Sequence, residues 1–212
     1  MDETFEGGFV KICGVTNVPD AMAVVRAGAS ALGLIFAESP RRVTRDQARD
    51  ILEATEGQIL RGAVFRENDD ESIRSLLGAL EVEMVQLHGA LSDELLDTLR
   101  ERPRFVVKAL SVADGEFNTF DESRVDAVLI DGPRPGSGAT HSWDRLAERV
   151  FRVPVIVAGG LSPENVADTV LATRAWGVDC DSGVESSPGS KDHHRVSSFV
   201  ANARQAFALL EE

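Results

Sequence analysis

The feature that most constrains this chain is a period. From residue 9 to the end, a short apolar stretch, a loop carrying Gly or Pro and an amphipathic helical stretch follow one another eight times, at roughly 25 residues per unit. The strands this predicts are 9–13, 31–36, 60–65, 84–88, 105–110, 127–131, 155–158 and 176–181. Several are continuously apolar, such as Ala31-Leu32-Gly33-Leu34-Ile35-Phe36 and Val153-Pro154-Val155-Ile156-Val157-Ala158. Continuous apolar strands belong to parallel sheets covered on both faces. Eight strand–helix units in sequence predict a single α/β domain, a (β/α)8 TIM barrel spanning 1–212 behind a short acidic tail at 1–8. A doubly wound open sheet is the runner-up, but no Gly-x-Gly-x-x-Gly follows the first strand.

Helix signals fit the same frame. Asn17 or Pro19 opens a helix that Gly28 stops near Ala27. Thr44-Arg45-Asp46-Gln47 has capping-box form. Ser92 opens another helix, and Ser162-Pro163-Glu164 places proline where a first helical turn accepts it. A final helix runs from Asp192 to about Leu210. The segment 114–123 reads as a turn of helix at most.

Charge narrows the function classes. The formal net charge is -13, and lysine stands only at 11, 108 and 191. Such a surface argues against a nucleic-acid partner, which needs a basic footprint. No apolar run approaches the roughly 20 residues of a membrane span, so no membrane partner is expected. The acidic start lacks the form of a secretory signal. Two cysteines without ligand spacing suggest neither a disulfide framework nor a metal site. A cytoplasmic protein is expected. So acidic a chain repels itself at low ionic strength, which fits a protein working in concentrated salt.

In a barrel of this kind the chemistry sits at the C-terminal ends of the strands. The polar residues that interrupt the pattern fall there. Lys11 and Cys13 share one face of the first strand, an ammonium two residues behind a thiol. A nearby cation favours the thiolate, although a lone strand cysteine also serves as a small buried hydrophobe. Asp131 ends the sixth strand. Partial desolvation there raises a carboxyl pKa toward neutrality and suits a general acid; an Asp before glycine also serves as a loop cap. The Gly-rich stretch 132–140 suits a cover or ligand loop. Gly159-Gly160 after the seventh strand and Ser182-Gly183 after the eighth free backbone N–H groups where this fold holds phosphate. Arg41 or Arg42 could pair with a carboxylate. His88 could position a substrate or bond the backbone. Cys180 is out of phase with Asp179 and Asp181, so it faces the helices if they face inward, and a Cys13–Cys180 bridge is not expected. His193-His194 reads as the exposed start of the last helix.

Taken together, Lys11-Ile12-Cys13-Gly14-Val15-Thr16, Val85-Gln86-Leu87-His88-Gly89, Gly136-Ser137-Gly138, the run 158–166 and Asp181-Ser182-Gly183-Val184-Glu185 with 188–192 resemble the phosphoribosylanthranilate isomerase family, over essentially the whole chain. The resemblance implies an Amadori rearrangement of a phosphorylated aminoaldose in tryptophan biosynthesis, without cofactor or metal. It implies Cys13 as general base and Asp131 as general acid. It further implies substrate contacts from Lys11, Arg41, His88 and Asp179, and phosphate contacts from Gly138, Gly159, Gly160, Ser182 and Gly183. A monomer or weak homodimer is expected. The chain departs from the family pattern before Arg41, where the approach is one residue short and Arg42 replaces an aromatic, and before Gly136, where the loop is shortened. The residues alone also admit a histidine-pathway type of sugar isomerase or a non-catalytic phosphate-binding barrel; Cys13 on the first strand speaks against the former.

Salt adaptation has a direct test. The melting temperature is expected to rise from dilute buffer to molar KCl; an equal or higher value in dilute buffer refutes the reading.

Overall fold

A computed structural model describes residues 8–66, 69–102, 104–111, 116–132, 146 and 149–211. The acidic tail, apart from Gly8, and the loop carrying Gly136 and Gly138 lie outside them. Eight strands close into one parallel barrel in chain order: β1 (Phe9–Ile12), β2 (Ala31–Ile35), β3 (Leu60–Phe65), β4 (Met84–Leu87), β5 (Phe105–Ser111), β6 (Ala127–Asp131), β7 (Val155–Ala158) and β8 (Gly177–Cys180). Around them run α1 (Val18–Arg26), α2 (Arg45–Ala54), α3 (Asp70–Ala79), α4 (Asp93–Arg100), α5 (Glu116–Thr119), α6 (Val166–Thr173) and α7 (His193–Ala208). The expected (β/α)8 barrel is the observed fold.

Strand alternation divides the core in two. Odd positions of β1, β5 and β6 turn inward with Met84 and Ile156, making a compact inner cluster that includes Phe9, Val107, Ala109, Ala127 and Leu129. Val10, Ile12, Val106, Val128, Val178 and Cys180 turn outward against the helices. The N-terminal end of the barrel is closed by aromatics. Phe9 stacks on Trp176 with centroids 4.9 Å apart, and Phe105 lies 6.0 Å from the same indole. Apolar filling at that end leaves the C-terminal mouth for polar groups.

The caps follow their sequence signals. Asn17 accepts from the Asp20 N–H at 2.9 Å, and Gly28 takes a φ of +78° past the end of α1. Thr44 and Gln47 complete a capping box on α2. Ser92 caps α4 and Asp192 caps α7. Several boundaries differ from the expectation. Cys13, Phe36, His88, Trp176 and Asp181 lie just outside their strands, whereas β5 extends to Ser111. Ser162-Pro163-Glu164 forms a turn before α6, which starts at Val166. The segment 114–123 contains the four-residue α5 and then a 3-10 turn at Glu122–Arg124. A small antiparallel hairpin, β9 (Glu185–Ser187) and β10 (Ser190–Lys191), was not foreseen.

Thr44→Ala removes the α2 cap and should lower unfolding free energy by about 1 kcal/mol, read from urea denaturation midpoints.

Candidate active site

The mouth of the barrel holds a cavity of about 590 Å³, within the size range of small-molecule sites. Cys13, Arg41, His88, Asp131, Gly159 and Gly160 line it, and so do Asp179 and Ser182. Lys11 lies beneath, and Gly183 packs behind the loop. Gly138 is outside the described residues.

The floor is an ion pair. Register places Lys11 of β1 opposite Asp179 of β8, and Lys11 Nζ donates to Asp179 Oδ2 at 2.8 Å with both side chains buried. Burial opposes the ammonium charge, yet Asp179 and Cys13 hold its pKa above the usual lysine range. Asp179 Oδ1 has no hydrogen-bond partner among the described residues. Cys13 stands just above. Gly33 on the neighbouring strand makes room for it: a Cβ there would sit 2.9 Å from Cys13 Sγ and 3.2 Å from Lys11 Cε.

The thiol differs from the expectation. Burial pushes the Cys13 pKa up to about 11; Lys11 lowers it, but Asp179 and Asp181 raise it. Lys11 opposes the effect of burial without overcoming it, so Cys13 is a thiol rather than a poised thiolate at neutral pH.

Asp131 also differs. It ends β6 as expected but is exposed at the rim rather than partly desolvated. Gly159, with a φ of +94°, lets the β7 turn pass beside it; a Cβ there would lie 2.7 Å from Asp131 Oδ1. Gly160 follows with a φ of +68°. Asn165 ties this glycine turn to α6, donating from Nδ2 to the Gly160 carbonyl at 3.0 Å and accepting the Ser162 N–H at 2.8 Å. The turn therefore presents backbone close to a helix N-terminus, a geometry suited to an anion. Gly183 passes so close to the Leu161 carbonyl that no side chain fits between the β7 and β8 loops.

His88 is held by a side chain. Burial, with Arg66, Lys11 and Lys108 as lesser causes, pushes its pKa down to about 4, so the ring is neutral. Its Nε2 stands 3.0 Å from Gln86 Nε2, so the Gln86 amide donates and the ring proton belongs on Nδ1. Gln86 Oε1 is buried without a partner among the described residues.

The two arginines separate. Arg41 lines the mouth, whereas Arg42 is exposed and borders a groove between α2 and α3. Arg41 is not idle. Its Nε and Nη2 donate to Glu185 at 2.8 and 2.7 Å, and its Nε lies 2.9 Å from Asp181 Oδ1. Lys191, wholly buried, reaches the same two carboxylates at 3.0 Å each. Sequence reasoning missed Glu185, Lys191 and Gln86 as site residues. One signal was present: lysine is rare in this chain, and all three lysines are buried.

Cys180 faces the helices, and its thiol donates to the Leu161 carbonyl at 3.1 Å. Both cysteines are free. His193 is half exposed, but it is also tied: its Nε2 lies 2.9 Å from the buried Asp20 carboxylate. Among the described residues, no three His, Cys, Asp or Glu side chains converge as a metal site would require.

Fold and mouth together define a (β/α)8-barrel enzyme with its site at the C-terminal ends of the strands. Residues 10–202 match the family model for N-(5'-phosphoribosyl)anthranilate (PRA) isomerase. The chain is 37% identical over 206 residues to the N-(5'-phosphoribosyl)anthranilate isomerase of Cellvibrio japonicus, an alignment covering 95% of each chain. Its fold is similar to the crystal structure of phosphoribosyl anthranilate isomerase from Thermotoga maritima, with a TM-score of 0.83 and 34% identity over 93% of this chain and 99% of that one. It is also similar, at a TM-score of 0.77 and 33% identity over 93% of this chain and 99% of that one, to a phosphoribosyl anthranilate isomerase in complex with reduced 1-(o-carboxyphenylamino)-1-deoxyribulose 5-phosphate. The chain belongs to the N-(5'-phosphoribosyl)anthranilate isomerase family.

Lys11→Met leaves Asp179 buried and unpaired and should cost about 3–5 kcal/mol of stability, whereas the double variant Lys11→Met/Asp179→Leu should cost clearly less; urea denaturation of the double-mutant cycle checks both. The rate of Cys13 alkylation by iodoacetamide should stay low at neutral pH and climb as pH approaches about 11, with Cys13→Ala as the blank.

Proposed function

We propose that this chain isomerises N-(5'-phosphoribosyl)anthranilate to 1-(2-carboxyphenylamino)-1-deoxyribulose 5-phosphate, the Amadori rearrangement of tryptophan biosynthesis. The observation that carries the reading is that Cys13 at the end of β1 and Asp131 at the end of β6 line one cavity.

The chemistry needs an acid and a base at different atoms of one substrate. Asp131, at the exposed rim, protonates the furanose ring oxygen. The C1–O bond breaks, and the nitrogen lone pair forms the C1=N bond of a Schiff base. Cys13 then takes the proton from C2. The C2–H bonding electrons form an enolamine, which tautomerises to the ketone. A thiol whose pKa stands near 11 in the empty site becomes a strong base once ionised, and a cationic Schiff base beside it favours that ionisation. Lys11 adds positive charge below Cys13. Asp179 Oδ1 and Gln86 Oε1 are buried acceptors without partners among the described residues, suited to donors on the sugar and the amine. Neutral His88 positions the same end of the substrate.

The anionic ends find separate cradles. Glu185 occupies the Nε and Nη2 side of Arg41, and the remaining guanidinium N–H groups suit the anthranilate carboxylate. The turns at Gly159-Gly160 and Ser182-Gly183 suit the phosphate, with Gly138 completing that set. No step calls on a metal or a cofactor.

The same reading extends to the setting. Residues 1–212 act as one barrel domain. No helix among the described residues is long and apolar enough to cross a membrane, which agrees with work in the cytoplasm, and the net charge of -13 agrees with a salt-rich one. The Thermotoga maritima relative is described as dimeric; for this acidic chain we favour a monomer or a weak homodimer.

The test follows the fluorescence of freshly prepared phosphoribosylanthranilate in molar KCl, corrected for spontaneous hydrolysis. Wild type should consume it rapidly. Cys13→Ala and Asp131→Asn should each lose at least about 10²-fold in kcat/KM. Loss with wild type and Cys13→Ala alike moves the base elsewhere, and no loss with a folded wild type overturns the reaction.

A further inference from the structure

Four charged side chains meet beside the mouth: Arg41 and Lys191 as cations, Asp181 and Glu185 as anions. Their exposures differ in a way that matters. The Lys191 and Glu185 side chains are 0% and 4% exposed, whereas Asp181 is 33% exposed and lines the cavity with Arg41. Glu185 is the sealed anchor. It takes Arg41 edge-on and also accepts from Lys191 and from the Gly189 N–H at 3.1 Å. Asp181 is the anion on the cavity side, with Oδ1 2.9 Å from Arg41 Nε and 3.0 Å from Lys191 Nζ. The contact is built into the β1 turn. Gly14, at a φ of +68°, packs under it, and a Cβ there would lie 2.5 Å from Asp181 Oδ1 and 2.7 Å from Arg41 Cδ.

We propose that Asp181 is a built-in counter-anion, which offsets the charge of Arg41 and Lys191 at the mouth and thereby sets how tightly the mouth holds an anionic ligand. The proposal rests on the phosphorylated, carboxylate-bearing substrate proposed above. With two cations and two carboxylates the cluster is neutral, so an incoming anion meets no net attraction from it. Neutralising Asp181 leaves one positive charge in excess and strengthens the attraction. Glu185 cannot play this part, because it is sealed and shapes the guanidinium.

A pH dependence follows. Burial holds the Asp181 pKa above the ordinary carboxylate range against the pull of Lys191 and Arg41. As pH falls through that raised value, the carboxylate gains a proton and anion binding tightens. The groups facing Asp181 are Arg41 from the β2 loop, Cys13 from the end of β1, Glu185 from β9 and Lys191 from β10. Beyond Lys191, the Asp20–His193 pair holds the Lys191 backbone. Burial opposes the Glu185 charge, but Arg41 and Lys191 keep its pKa low, and Cys13 titrates near 11.

The probe is inorganic sulfate, whose charge is constant across the window, titrated by calorimetry at fixed ionic strength. Wild type, Asp181→Asn and Asp181→Ser are compared. Both variants should bind sulfate at least about threefold tighter than wild type at neutral pH. Wild-type affinity should rise as pH falls through the raised Asp181 value, and that rise should be lost or much reduced in both variants. In turnover, the same variants should lower KM for phosphoribosylanthranilate. Unchanged or weaker sulfate binding in folded variants, or a wild-type slope that survives in both, overturns the proposal. Sulfate binding does not depend on turnover. An inactive wild type that still shows the sulfate difference refutes the reaction but not the role of Asp181, and an active one without it does the reverse.

Discussion

The closing seam of the barrel depends on one buried ion pair. β1 and β8 meet in register at Lys11 and Asp179, and the two charges lie 2.8 Å apart with both side chains buried. A buried pair is weak evidence for stability, since desolvation consumes most of the attraction. Its value here is positional. Strand alternation places Cys13 two residues beyond Lys11, on the same inward face. The pair therefore decides the electrostatics under the thiol, and it decides them differently from a lysine alone. Burial, reinforced by Asp179 and Asp181, prevails over the pull of Lys11, and the thiol keeps its proton.

The second ionic cluster solves a different problem. Loops after β2 and β8 must converge on one ligand, although they come from distant parts of the chain. Glu185 of β9 binds Arg41 across 144 residues, and Lys191 of β10 donates to the same carboxylate from within the hairpin. Thr16 adds a bond to the Gly189 carbonyl at 2.6 Å. The mouth is thus assembled by charge-assisted hydrogen bonds, while the N-terminal end is closed by stacked aromatics. Apolar packing can fill an end but cannot hold a guanidinium at a fixed angle; paired carboxylates can.

How far the site was legible varied by residue. Period-two alternation correctly sent Cys180 to the helices, because that inference needs only local geometry. The ends of strands correctly located Cys13, His88 and Asp131 at the mouth. The protonation of Cys13 and His88 was not legible, nor was the exposure of Asp131. A sequence shows a lysine near a cysteine but not the aspartate that takes its charge, and it shows Asp131 ending an apolar strand but not that the rim leaves it exposed. The choice between Arg41 and Arg42 was open from sequence. Adjacent residues diverge in direction, and only the folded loop shows which one turns to the cavity.

By itself the sequence determined what short-range rules control: eight strand–helix units, their caps, the glycines where backbone must turn with positive φ, and the inward and outward faces of the strands. Those rules depend on neighbours a few residues apart. Tertiary structure alone decided which charges meet. Asp179 under Lys11, and Glu185 and Asp181 around Arg41, are contacts between residues more than a hundred positions apart. Coulomb energies depend on distance and burial rather than on position in the chain, so the state of the thiol and the balance of charge at the mouth exist only once the barrel has closed.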